Sequence, residues 1–156
     1  VEAGVAEDLQ VSWVPSYGPE MRGGTANCTV ILSDDRIGSP LVEHPSEIVV
    51  MNRAALAKFG PKVQSGGTIF INSSIVPDKV DRDDVSVHYV PCDDIARELG
   101  NPKVSNMVML GAYVGATNVL KVETIENMIH EMFTGKKAKL VPLNMDALHR
   151  GLDCVK

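Results

Sequence analysis

The strongest constraint on the fold is one pattern met three times. "SEIVVMN" (46–52), "GGTIFINSS" (66–74) and "VSVHYVP" (85–91) are short apolar runs rich in β-branched residues, the composition of strands covered on both faces. The first leads into "RAALAKFG" (53–60), a brief helix ended by Gly60 and Pro61. The third leads into "CDDIARELGN" (92–101), a helix whose acidic first turn suits the helix dipole. Strands alternating with helices predict an α/β domain, Rossmann-like and three-layered, with a largely parallel sheet and functional loops at the carboxyl ends of its strands. A chain of 156 residues supplies one core of this kind, so residues 1–156 are expected to form a single domain.

The ends of the chain extend this pattern. "LQVSWVP" (9–15) sets Leu9, Val11 and Trp13 against Gln10 and Ser12, as in a strand with one buried face. "TANCTVILSDD" (25–35) reads as a second strand, able to pair with the first across a glycine-rich loop. The chain opens Val1-Glu2-Ala3-Gly4-Val5 without a methionine and enters its first strand at once. No room is left for an opening βα unit, and a truncated fragment lacking its N-terminal βα unit is the expectation. From residue 104 the pattern turns helical. "NMVMLGAYVGAT" is apolar around most of its circumference and should be central. "VETIENMIHEMF", with Val122, Ile125, Ile129 and Met132 on one stripe, and "NMDALHRGLDCV" should be peripheral.

Charge and motif content exclude several functions. The net charge is -5 and the basic residues are scattered, so the field that nucleic-acid binding requires is lacking. No apolar run approaches a bilayer span and no charged-then-apolar leader opens the chain, which predicts a cytoplasmic protein without a membrane partner. Cys28, Cys92 and Cys154 form no CxxC pair and read as reduced, mostly packed thiols. His44, His88, His130 and His149 show no metal-binding spacing. The pairs Asp34-Asp35, Asp83-Asp84 and Asp93-Asp94 sit at turns or helix starts, as solvated turn acids do. Nothing resembles a nucleophile elbow, and no catalytic residue is assigned.

The densest chemistry lies in "SYGPEMRGG" (16–24). Gly23 and Gly24, with Gly18 upstream, let a ligand or another chain approach the backbone, and Arg22 offers a planar fork of donors for a phosphate or a carboxylate. The plainer reading is a tight turn in which Arg22 pairs with Glu20 or a neighbouring chain. Tyr17 and Pro19 form a stiff wall or a buried structural element, and Met21 suits interface packing. Secondary candidates are Asn72 and Ser73, with Ser74, at the end of "TIFINSS", and Asn106, with Asn101, near the next helix start. Short polar residues at such places also serve simply as caps.

On "YGPEMRGG" (17–24), "VILSDDRIGSPLVEHPSEIVVMN" (30–52) with its Ile-Gly-Ser-Pro turn, "GGTIFINSS" and "ELGNPKVSNMVMLGA" (98–112), the chain resembles the gamma subunit, or gamma domain, of 2-oxoacid:ferredoxin oxidoreductases. The resemblance implies a complex that oxidatively decarboxylates a 2-oxoacid to an acyl-CoA, using thiamine diphosphate, iron-sulfur clusters and coenzyme A, and passes electrons to ferredoxin. It implies alpha and beta subunits, with a ferredoxin-like delta subunit in some members, as partners. The gamma part then supports assembly and the coenzyme A approach, binds no thiamine or cluster, and is not catalytic alone. "SYGPEMRGGTANC" looks most like members acting on 2-oxoglutarate or branched-chain 2-oxoacids. Family members also begin with a glycine-rich strand-loop-helix unit of about 30 residues. The alternative is a free-standing α/β protein binding a nucleotide or acyl carrier. Self-association of the isolated chain is expected from its apolar fraction of 44% and from methionines such as Met21, Met128 and Met132.

Overall fold

The computed structural model describes residues 1–16 and 26–156. Three strands, β3 (Glu47–Val50), β4 (Thr68–Asn72) and β5 (Ser86–Val90), form a parallel sheet in the order β3-β4-β5. β4 is buried along nearly its whole length, as an apolar run in the middle of a parallel sheet must be. Period-two alternation splits the sheet into two faces. Ile69 and Ile71, with Val50, pack against Val63, Val76 and the helix α2 (Arg53–Phe59) through Ala55 and Leu56. Phe70 and Val90 point the other way, into a cluster with α3 (Cys92–Glu98) and α4 (Ser105–Thr117). Helix, sheet and helices make the expected three layers.

Asn52 caps α2 by accepting from the Ala55 N–H at 2.8 Å. Gly60 keeps right-handed angles, so α2 is stopped by tightening into a 3-10 turn over Gly60–Lys62 around Pro61 and not by a left-handed glycine. β1 (Gln10–Ser16) and β2 (Asn27–Ser33) pair antiparallel as predicted, and they form a separate two-stranded sheet. A short helix, α1 (Glu2–Ala6), precedes them; its brevity hid it from periodicity.

Helix α4 is central, as predicted. Val108, Met109 and Ala112 join the cluster around Phe70, while Val114 joins a second cluster with Ala3, Ile125 and Leu148. The Tyr113 ring meets Phe70 edge-on at 5.4 Å. Two expectations are corrected at the carboxyl end. α6 (Val141–Asp153) is not peripheral: Ala147, Leu148 and Gly151 are buried, and Gly151 lies directly against the Val108 carbonyl. α5 (Val122–Met132) does lie outside, buried through Ile125 and Ile129, but its last stripe residue, Met132, is 60% exposed. A Glu7 carboxylate oxygen accepts from the Lys121 N–H at 2.8 Å and so ties the end of α1 to the start of α5. A hydrogen bond from the Thr124 side chain, and after it the bond from Lys121, hold its carboxyl below the ordinary value.

Candidate functional site at the strand ends and the hairpin

The carboxyl ends of β4 and β5 carry a connected polar network, and a separate ion pair lies at the end of β3. Asn72, the last residue of β4, is fully buried. Its amide donates to Asp93 Oδ2 at 2.8 Å, and its Oδ1 accepts from the Ser74 N–H at 3.3 Å. Ser74 Oγ donates to Asp94 Oδ2 at 2.8 Å and accepts from the Asp94 N–H at 3.1 Å, while Arg97 donates to Asp94 Oδ1 at 2.6 Å. The Ser73 N–H donates to the Val90 carbonyl at 2.9 Å. Across the same edge the Arg53 guanidinium holds Asp78 bidentately, both contacts 2.7 Å, which keeps the Asp78 carboxyl below its usual range. These groups fix the β4–α2 and β4–α3 connections.

Of the secondary candidates, Asn72, Ser73 and Ser74 are brought together here with two acids that the sequence reading had set aside. Asp93 is no solvated turn acid: it is the acceptor of a buried amide. The signal was the three-residue polar close of β4 facing an acidic helix start. Asn101 caps the 3-10 turn Pro102–Val104 by accepting from the Lys103 N–H at 3.0 Å. Asn106 lies apart, exposed within the first turn of α4, whose capping position is held by Val104. It is not a cap, because the preceding 3-10 turn already supplies the entry to the helix.

The principal candidates, Tyr17, Gly18, Pro19, Glu20, Arg22, Gly23 and Gly24, lie outside the described residues, as does Met21. The strand ends on either side are fixed, with Ser16 paired to Asn27. Along the hairpin, Val11 and Leu32 lie under Gly4 of α1. The next pair on that face, Trp13 and Val30, is 54% and 45% exposed. This corrects the expectation that Trp13 closes a buried face: α1 is too short to reach it. At the hairpin's other end the Ile-Gly-Ser-Pro turn contributes Ile37, Gly38 and Pro40, with Arg36, to an open depression of about 600 Å³ against Gln10–Ser12.

The thiols also differ from expectation. Cys92 is buried at the start of α3, and burial beside Asp93 pushes its pKa up to about 12, whereas Cys28 and Cys154 are exposed. An edge strand and a last helical turn do not pack a cysteine. Among the described residues no three His, Cys, Asp or Glu side chains converge as metal ligands, and no helix is long and apolar enough to cross a membrane.

A parallel sheet between two helical layers, with an antiparallel hairpin beside it, defines the class of fold. Residues 1–154 match the family model described as "Pyruvate ferredoxin/flavodoxin oxidoreductase", and the chain belongs to this family. It is 34% identical, over 97% of its length, to ketoisovalerate oxidoreductase subunit VorA of Methanothermobacter marburgensis, and spans 32% of that protein. Over 81% of its length it is 33% identical to 2-oxoglutarate synthase subunit KorC of Methanocaldococcus jannaschii, spanning 69% of it. The chain thus spans about a third of the VorA relative's length. Among solved structures, the keto/oxoacid ferredoxin oxidoreductase gamma subunit from Geobacter sulfurreducens superposes with a TM-score of 0.81 at 26% identity, over 98% of this chain and 84% of that one.

Proposed function

We propose that this chain is the gamma part of a cytoplasmic 2-oxoacid:ferredoxin oxidoreductase, a complex that oxidatively decarboxylates a 2-oxoacid to an acyl-CoA and reduces ferredoxin. The observation that carries the reading is the family match across residues 1–154 together with relatives named as subunits of such enzymes. In this reading alpha and beta subunits, and a ferredoxin-like delta subunit, hold the thiamine diphosphate and the clusters. This chain supports assembly and, through Tyr17–Gly24 and above all Arg22, the coenzyme A approach. Asn72, Ser73 and their network serve it by holding the strand ends rigid. The apolar side chains left open at Trp13, Val30 and Leu41 support a partner-binding face and self-association of the isolated chain, which sedimentation at rising concentration tests. 2-Oxoglutarate is the favoured substrate. A branched-chain 2-oxoacid is the second reading, favoured by the 97% coverage of the match to VorA.

The test uses the reconstituted complex, assayed with 2-oxoglutarate, 2-oxoisovalerate and pyruvate. Arg22→Ala is expected to weaken the coenzyme A-dependent step more than 2-oxoacid binding. Loss of one charge-assisted hydrogen-bond set costs about 1.5–3 kcal/mol, roughly a ten- to hundredfold rise in coenzyme A requirement. Arg22→Lys should recover part of it, because lysine keeps the charge and loses the fork. Loss of assembly on size exclusion would instead make Arg22 a tie between subunits. An intact complex with unchanged coenzyme A dependence would refute both roles.

A further inference from the structure

The 3-10 turn Gly135–Leu140, which joins α5 to α6, carries Lys136, Lys137 and Lys139, and all three are exposed. Gly135 enters the turn with left-handed angles (φ 57°), and the Lys137 N–H donates to the Thr134 carbonyl at 3.1 Å. The backbone under the lysines is therefore fixed. With three residues per turn, Lys136 and Lys139 stand one above the other and Lys137 beside them. Like charges so placed repel. Among the described residues nothing relieves this. Between Glu126 and Asp146 the sequence holds one acid, Glu131, and none of the three lysines makes an ion pair. By contrast, four of the five described arginines and Lys156 are ion-paired, and Glu126 is taken by His149. Directly before the turn, Met132 is 60% exposed and Phe133 half-buried.

We propose that this turn is a docking surface for another protein, one that presents a compact cluster of carboxylates around an apolar centre. The acids meet Lys136, Lys137 and Lys139, and the centre covers Met132. Charge complementarity is the argument for the occupant: three fixed cations without an anion of their own are stabilised by a partner's acids, and a methionine adapts to an apolar surface of irregular shape. The size of the occupant follows from the rest of the chain, whose net charge is -5. A nucleic acid or an anionic membrane is charged over a span much longer than a Debye length of about 8 Å, so the acidic remainder of the chain repels it. A compact acidic protein surface meets the lysines alone. Exposed charges of this kind chiefly speed encounter, which makes the contact transient and salt-sensitive. The inference does not depend on the reading of the chain as a gamma part.

The probe is a synthetic helical peptide of about 14 residues, roughly four turns, with leucines along one stripe and glutamates flanking it. It is added to the reconstituted complex, in which this chain alone carries isotope-labelled methionine methyls and lysines dimethylated with labelled carbon, a modification that keeps their charge. The signals of Lys136, Lys137, Lys139 and Met132 should shift together, while those of Lys62 and Lys103 stay in place. Raising the salt from about 50 to 500 mM should weaken binding by roughly tenfold or more. Glutamine in place of the peptide's glutamates, or Lys136→Gln with Lys139→Gln in the chain, should weaken it to a similar extent. Lys62→Gln with Lys103→Gln removes equal charge elsewhere and should leave binding unchanged; all four lysines are exposed, so both pairs of substitutions keep the fold. Anionic phospholipid vesicles and an RNA duplex are compared at matched negative charge. The proposal is overturned if either binds the three lysines as tightly as the peptide does. It is equally overturned if the peptide shifts all lysines alike, moves none of the three, or binds undiminished to the Lys136→Gln, Lys139→Gln chain.

Discussion

The contact between α4 and α6 is the place where a single methyl group should do most damage. A Cβ added at Gly111 would lie 2.0 Å from the Leu148 carbonyl oxygen, and one at Gly151 would lie 1.9 Å from the Val108 carbonyl oxygen. Ordinary contact begins at 3.4 Å, so the helices must part by about 1.4 Å or more. Neither obstacle is a side chain that can swing aside. Parting them strips cover from Leu148 and Ala147, both fully packed. Full burial of a leucine is worth ~1.5–3 kcal/mol, and overpacking itself costs ~1–3 kcal/mol. The better helix propensity of alanine returns only ~1 kcal/mol. Gly151→Ala should therefore destabilise by about 2–4 kcal/mol, a fall in melting temperature of roughly 5–15 °C for a domain of this size. Gly115→Ala is the internal comparison: its Cβ meets chiefly the side chains of Val155 and Leu152, at 2.9 and 3.0 Å, which can move, so the loss should be much smaller. Gly38→Ala, with open space around it, should change little. Melting followed by circular dichroism decides the matter. A Gly151→Ala protein that melts at or above the parent temperature would show that α4 and α6 do not meet at these glycines.

Three further outcomes follow from the same contacts. Asn72→Ala should cost about 1–3 kcal/mol in urea unfolding, the usual penalty for leaving buried partners unsatisfied, and Asn72→Asp should cost more, because a buried carboxylate would then face Asp93; equal stability of either with the parent would refute the network. Thiol titration should find Cys28 and Cys154 reacting in the folded protein and Cys92 only on unfolding, so rapid labelling of Cys92 would contradict its burial. Burial beside Glu47 also raises the Tyr113 pKa to about 12. The unfolded chain ionises this phenol first, near pH 10, so stability should fall as pH rises from about 10 to 12; Tyr113→Phe should flatten that part of the curve, and an unchanged slope would count against the shift.

What the sequence made legible was whatever one segment decides by itself. Three β-branched runs specify buried parallel strands because a continuous apolar stretch has no polar side to turn to water, and the runs at 46–52, 66–74 and 85–91 all fall on strands. The hairpin was legible for a related reason, two alternating segments close in the chain. What was missed depends on two segments at once. The pattern in "NMDALHRGLDCV" describes a one-sided helix, and nothing in it says that Gly151 meets the Val108 carbonyl or that Gly111 meets the Leu148 carbonyl, since a glycine's absent side chain leaves no periodic mark. Asp93 looked like a helix-start acid because its partner, Asn72, stands 21 residues earlier. Trp13 and Val49 were misjudged in the opposite sense. Alternation assigned Trp13 a covered face and a continuous run assigned Val49 cover on both, and within the described residues nothing covers them fully.

The two errors have one physical content. A sequence pattern records the environment for which a segment was selected, and a structure records the environment that these residues alone provide. Where the pattern calls for cover and the fold leaves an apolar side chain half in water, the difference measures surface that another element is needed to bury. Trp13 and Val49 sit on two sheets that share the helical layer centred on α4. The Trp13 and Val30 side chains stand opposite each other on the hairpin and are both open to water, the kind of paired apolar surface that a partner chain covers. Trp13, the single tryptophan of the chain, reports on that surface directly: its emission in the isolated chain should be that of a wet indole and should shift to the blue when partner subunits are added. Emission that stays unshifted in an assembled complex would refute the hairpin face as the surface for subunit contact.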